Sequence, residues 1–478
     1  NFIGECSFNG CNNIKNVEFL NESKIQTIET NTFSYSSLES IKIPDSVIKI
    51  KKDSFSGCSK LNHVDFSDKS NLTLIGGSAF SNSSIVSISI PSEVVEISNN
   101  AFSDCTKLRE ITFSDKSKLS IIGNDVFSNT RIENIIIPSR VTRISENCFS
   151  ECTKLETIQF QENSKLTTIS SNAFAKSSLK NLYIPSCTTN LEEGCFTDVK
   201  SLENIIISKE NSKYSCYNDE LIVTKTKLNS EIYDTIVYAK KNITKVIIPK
   251  TIKSISSKAF CDCTYLQSVE FEPDSILETI GNYAFCNTSV YSITIPPSVR
   301  TIGEGIFLNC KQLKFVNLPN NNKFKVISDF AFSNTQLESI EIPSHVTKIG
   351  KNSFSNCTKF NQVKFSDDSN LKIIDDSAFS DTLIFNIDIP SSVTRIGEKS
   401  FSGCNNLNQI KFTNDSKLEI IDNFAFKKSF LDQISIPIHV KIMGKGVFSE
   451  CENLKEIKFD NNSELKSIGE SCFKKTAL

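Results

Sequence analysis

Nine of the chain's 17 cysteines recur at one phase: Cys11, Cys58, Cys105 and Cys152, then Cys263, Cys310, Cys357, Cys404 and Cys451. Thiols so placed could bridge or bind metal, and each chemistry sets its own geometry. Zinc asks for close ligands of C-x2-C type. The tightest pair here, Cys261-x-Cys263, is closer than that, and its members occupy different phases. The three histidines supply no triad, since His345 and His439 share a phase 94 residues apart and His63 stands elsewhere. Acidic residues Asp68, Asp115, Glu162, Asp367 and Asp415 recur in polar loops, but calcium needs six or more oxygens at one point. The 16 glycines are scattered, with only Gly76 and Gly77 adjacent, and form no phosphate-cradling loop. These patterns predict no enzyme, no metal and no cofactor.

What holds such residues in phase is a repeat. Phenylalanines ending an Ala-Phe-like dipeptide fall at Phe8, Phe33, Phe55, Phe80, Phe102, Phe127, Phe149, Phe174 and Phe196, spaced alternately by 25 and 22 residues. They resume at Phe260 and run to Phe473 in the same rhythm, so the gap of 64 is one 47-residue pair plus a 17-residue insertion. Each turn carries one L-x-x-I-x-I/F stretch, such as Leu38-Ile41-Ile43 or Leu61-Val64-Phe66, whose alternation is strand-like. Nineteen such strands are expected between Ile14 and Leu454, each beginning at the leading Leu or Ile. A spacing of 23 or 24 residues leaves no room for long helices and too much for hairpins, so parallel strands stack one per coil. In the 22-residue turn the strand ends in Ile-Pro (Pro44, Pro91, Pro138), where the ladder must stop because proline has no N–H. In the 25-residue turn a longer loop carries Ser70, Ser117 and Ser164 in register, whose hydroxyls suit turn backbone. An apolar pair and often glycine (Ile75-Gly76, Ile122-Gly123) then suggest a backbone bend before the Phe, which stacks on its neighbours. Ladder cysteines thus lie two coils apart, about 10 Å at ~4.8 Å per strand, beyond bridging range. They read as a buried structural column alternating with Ser or Thr of the other turn type.

Composition agrees with many copies of one short unit: 35 Phe and 9 Tyr with no Trp and one Met, and 46 Asn and 100 Ser or Thr among 478 residues. The net charge of −2 provides no general basic field for nucleic acid or acidic lipid. No apolar run approaches a membrane span. No secretory leader opens the chain, but both ends cut through a repeat, so it is read as a fragment.

The units F-S-x-C-x-K-L-x-x-I-x-F and L-x-x-I-x-I-P-S-x-V-x-x-I-x-x-x-A-F resemble the leucine-rich repeats of BspA-like surface antigens of bacteria and mucosal protozoa such as trichomonads. The resemblance covers nearly the whole chain. It implies a right-handed leucine-rich repeat horseshoe with a parallel β-sheet on the concave face, an irregular or short helical convex side and one β-hairpin insertion. The usual Asn ladder of leucine-rich repeats is missing, as it is in BspA-like repeats. The chain is read as one repeat domain over 1–478, with segments 1–207 and 243–478 flanking an insertion at 208–242. There the runs Glu220–Thr226 and Ile232–Ala239 read as a hairpin leaving the solenoid, with a turn near Lys227–Ser230, and Val199 replaces the ladder cysteine.

Function then rests on the outward strand positions. Most are polar (Ser40/Lys42, His63/Asp65, Gln362/Lys364, Gln409/Lys411) and make a wet surface suited to macromolecules. Ile136, Tyr183, Ile206 and Ile247 break that rule. The last three fall on successive coils and are expected to form one apolar stripe, either an exposed anchor for a partner or a surface buried under the hairpin. Cys261 and Cys286 follow the Phe on adjacent coils, so their Cα atoms come within bridging range; a disulfide and two separate thiols both stay open. The resemblance implies a cell-surface or secreted protein binding a protein partner, host matrix or a neighbouring cell; the alternative is an intracellular scaffold. Eight N-x-S/T sequons (Asn21, Asn71, Asn82, Asn242, Asn287, Asn356, Asn414, Asn461) match chance in this composition.

Overall fold

The computed structural model describes residues 2–20, 23–227 and 229–478 and divides into two compact units, Asn1–Asp219 and Glu220–Leu478. Both are parallel-strand solenoids, and no helix occurs among the described residues. Nine long-strand positions fall in the first unit and ten in the second, the 19 expected. In Ser40–Ile43 the residues Ile41 and Ile43 are buried while Lys42 faces water, and Ile41 stands opposite Val64 of the next coil.

Four expectations need correction. The strands begin two residues late, at Ser40 and not Leu38. Leu38 turns inward from a bend, where the following Glu39 N–H still reaches back to the Lys15 carbonyl at 2.7 Å. The long strands also do not form one sheet, for they group into ladders of two to four strands. Every break within a unit follows a coil of the 25-residue type. Its last strand residue (Phe66, Phe113, Phe365, Phe412) is only half-buried, unlike the buried Ile that closes the other type. Where pairing persists beyond such a coil it is short, two residues after Thr157–Phe160 and one after Ser268–Phe271.

The third correction concerns the expected bend. It is a second parallel ladder of two-residue strands, with Lys49 opposite Leu74 and Ile50 opposite Ile75. Gly76 there needs no unusual backbone. A Cβ at Gly76 would stand 2.6 Å from the Lys51 carbonyl carbon, so glycine serves close approach of two coils.

The Phe turn has its own backbone rule. Asn31 and Tyr35, two residues before and after Phe33, are left-handed (φ 56° each), and Asp53 and Gly57 flank Phe55 in the same way (φ 55° and 71°). This turns the N–H groups of Asn31, Phe33 and Tyr35 toward the next coil, where the carbonyls of Lys52, Ser54 and Ser56 accept at 3.1, 2.7 and 2.8 Å. The Phe rings of the first unit stack from Phe8 to Phe196 with centroids 5.0–6.1 Å apart. Burying each ring stabilises its coil by roughly 1.5–3 kcal/mol, and a stacked pair adds about 0.5–1.5 kcal/mol.

Turn chemistry follows the register read in the sequence. Val47 N–H donates to the Pro44 carbonyl at 3.0 Å, and Ser70 Oγ accepts from Leu72 N–H at 3.3 Å. The cysteine column is buried from Cys58 onward. Cys263 meets the Lys240 carbonyl at 3.6 Å, and each of the other seven buried thiols donates to the Phe carbonyl of the coil before it, as Cys152 does to Phe127 at 3.0 Å. Each also meets the Ser or Thr hydroxyl of that coil, as with Thr130 at 3.3 Å. Where Val199 takes the thiol's place, it is fully buried and the Ser177 hydroxyl is left buried without a partner.

The insertion does not leave the solenoid. Leu221–Thr224 pairs antiparallel with Thr235–Ala239, and the latter pairs in parallel with Ser254–Ile255, taking a place in the short-strand ladder. Ala239 N–H donates to the Ala259 carbonyl at 2.8 Å, the bond that Phe makes in other coils. The run packs because Leu221, Ile222, Val223 and Ile236 are buried. Residue 228, in the expected turn, lies outside the described residues. Cys261 and Cys286 are joined as a disulfide with Cα atoms 4.6 Å apart.

Candidate functional site

The long strands present two outward residues per coil, flanking the buried middle aliphatic residue. In the first unit these rows are mostly polar. Asn204 Nδ2 donates to Asn181 Oδ1 at 2.8 Å, and Lys180 pairs with Glu156 at 2.8 Å. Among them Tyr183 and Ile206 stand directly opposite each other on neighbouring strands, 42% and 62% exposed. They form an open apolar pair. Ile136 is exposed as well but is separated from Tyr183 by Gln159, its register partner. It lines a depression of about 610 Å³ with Arg109, Glu110, Thr112, Glu133 and Asn134. In the second unit Ile247 is exposed opposite Glu270, whose carboxylate meets Lys245 at 2.7 Å. That lysine holds the Glu270 carboxyl below its ordinary range.

Sequence reasoning missed a second aromatic cluster. Tyr291 and Phe315 meet edge to face with centroids 5.8 Å apart, both exposed, and Lys314 Nζ lies 5.5 Å from the Tyr291 ring centre. The signal was available, because Phe315 occupies the first outward position, where other coils put polar residues, most often Ser, Gln or Asn.

Among the described residues the three histidines stand apart from one another. His63 lies exposed on a long strand. His345 packs its ring edge-on to Phe324, and His439 Nδ1 meets Glu464 at 3.0 Å. Burial drives the column thiols up, Cys105 and Cys152 to about 11, so they stay protonated and inert. Asn21 lies outside the described residues. Asn82, Asn242 and Asn356 are exposed, while Asn287 spends its amide on Asp262 at 2.7 Å. Among the described residues no helix is long and apolar enough to cross a membrane.

The long strands therefore present mostly polar outward rows interrupted by a few exposed apolar residues. Comparison with known proteins matches this architecture. A family model described as a BspA type leucine rich repeat region matches in six copies, over residues 1–109, 26–138, 120–234, 230–361, 325–418 and 372–478. A leucine rich cell surface protein from Faecalibacterium prausnitzii is similar in structure, with TM-score 0.50 and 24% identity over 81% of this chain and 83% of that one. A leucine-rich repeat protein from Eubacterium ventriosum has TM-score 0.43 and 19% identity, over 88% of this chain and 84% of that one. The pneumococcal vaccine antigen PcpA has TM-score 0.39 and 19% identity, over 96% and 84%. Among curated proteins no match is found.

Proposed function

Because this chain belongs to the BspA-type leucine-rich repeat family, we propose that it is a cell-surface protein that binds a protein partner, host matrix or a neighbouring cell through the outward residues of its long strands. The observation that carries the reading is the open pair Tyr183 and Ile206, register partners on adjacent strands. Large apolar side chains left exposed side by side mark contact surfaces, and a tyrosine anchor within a polar rim is the usual arrangement of a binding hot spot. The surrounding Asn and Ser residues supply an adaptable, hydrated rim.

The test is adhesion of the purified chain to cultured epithelial cells and to their deposited matrix. Tyr183→Ala combined with Ile206→Ser lowers adhesion about tenfold or more, the equivalent of ~1.4 kcal/mol. The melting temperature stays unchanged, since neither side chain is in the core. Adhesion that survives the double substitution refutes the assignment. A large fall in melting temperature instead assigns the pair to packing.

A further inference from the structure

We propose that the long-strand face of the later coils, around Gln362, Asn386 and Gln409, binds a polysaccharide carrying one carboxylate per disaccharide. The site lies within the second unit and does not depend on the Tyr183–Ile206 reading. Its first component is a row of carboxamides. Gln362, Asn386, Gln409 and Gln433 hold the first outward position on four successive coils, and all are exposed. Among the described residues none of them finds a side-chain hydrogen-bond partner, whereas Asn181 and Asn204 at the same position of the first unit bond each other. A free carboxamide offers a donor and an acceptor in one plane, which matches a pair of adjacent sugar hydroxyls.

The second component is charge with a period. At the next outward position stand Lys364, Asp388 and Lys411, with Asp388 in register with Lys411 and Glu341 with Lys364. Lys364, Asp388 and Lys411 close no ion pair, although lysines elsewhere on this face do, as Lys245 does with Glu270 at 2.7 Å. Lys364 and Lys411 are two coils apart, about 10 Å at ~4.8 Å per strand, close to the span of a disaccharide. Each ammonium can take one carboxylate. Asp388 between them repels a chain charged on every sugar, and it accepts hydrogen bonds from the hydroxyls of an uncharged one. A repulsive element of this kind selects as well as an attractive one. The third component is Phe385, 56% exposed beside Asn386, a ring placed to stack on the apolar face of a pyranose. Stacking ring, free amides and spaced cations together fit an unsulfated uronate-containing chain.

Titration of the full chain by calorimetry with a hyaluronan decasaccharide, heparin and neutral dextran, at physiological salt, tests the assignment. Hyaluronan binds, dextran does not, and heparin binds more weakly than hyaluronan. Lys364→Gln with Lys411→Gln weakens hyaluronan at least tenfold, and Phe385→Ala weakens it severalfold. Asp388→Asn strengthens heparin relative to hyaluronan. These substitutions are on exposed side chains, and unchanged melting curves confirm that the variants are folded. Absence of hyaluronan binding by the unaltered chain overturns the proposal. So does binding that the double lysine variant leaves intact, or a preference for heparin. The titration contains no cell or matrix and its variants leave Tyr183 and Ile206 in place, so the two readings fail separately.

Discussion

Ser177 provides an internal control for the hydroxyl–thiol column. In seven couples the hydroxyl of one coil meets the thiol of the next: Ser36–Cys58, Ser83–Cys105, Thr130–Cys152, Thr288–Cys310, Thr335–Cys357, Thr382–Cys404 and Ser429–Cys451, at 3.2–3.5 Å. At the eighth place Val199 faces Ser177, whose buried Oγ has no partner. An unpaired buried hydroxyl costs about 1–3 kcal/mol, while a satisfied one contributes about 0.5–1.5 kcal/mol. Ser177→Ala is therefore expected to raise stability by about 1 kcal/mol. Ser83→Ala, which removes a made contact, is expected to lower it by a similar amount. Urea unfolding of both variants measures the difference as opposite shifts in midpoint at unchanged slope. Val199→Cys closes the cycle, because a thiol at 199 satisfies Ser177 and reverses the sign of Ser177→Ala in that background. If Ser177→Ala destabilises as much as Ser83→Ala with Val199 in place, the column is not held by these couples.

Two further outcomes follow from titration and burial. Burial and the positive charge of Lys325 hold the His345 imidazole below its ordinary 6.5. Below that pH the unfolded chain takes up a proton that the folded chain resists, so stability is full above about 6.5 and falls as pH drops through it. His345→Ser, the residue that coils with Ser298 and Ser392 already carry, flattens the fall in melting temperature between pH 7.5 and 5.5; an unchanged slope refutes the assignment. Under native, non-reducing conditions iodoacetamide labels the exposed Cys6 and spares Cys105, Cys310 and Cys404, which burial raises to about 11. Peptide mass spectrometry reads the result, and prompt labelling of the column, or of Cys261 and Cys286 before reduction, contradicts the structure.

The features legible in the sequence were those in which one residue type is required at one phase. Phe at the turn, Cys against Ser or Thr, Pro after the strand and Ser in the loop each satisfy a contact that few other residues can make. The short-strand ladder escaped because two residues such as Lys49–Ile50 are too few to show alternation. The left-handed positions escaped for a different reason. Asn31 and Asp53 are ordinary there, but Lys258, Phe330 and Phe424 occupy the same conformation, so three coil-to-coil hydrogen bonds impose what the side chain does not favour. At the binding surface the outward residues could be counted off the repeat. Which of them are spent on one another could not, since the Asn181–Asn204 bond and the free Gln362 amide arise from rotamers and coil spacing. The hairpin was legible as strands but not as members of the short ladder, because parallel pairing to Ser254–Ile255 is a property of the coil it joins.

The alternation of two coil types has a consequence for how such a gene can grow and for what its product can survive. Duplicating one coil would set cysteine over cysteine on adjacent turns, at the kind of separation, 4.6 Å between Cα atoms, at which Cys261 and Cys286 are joined. A column of that kind would be an unbroken run of thiols open to oxidative cross-linking from one coil to the next. Duplicating the 47-residue pair keeps a hydroxyl between every two thiols and holds them about 10 Å apart, out of reach of one another. The pair, and not the coil, is thus the unit that can be copied or lost without wiring the interior shut.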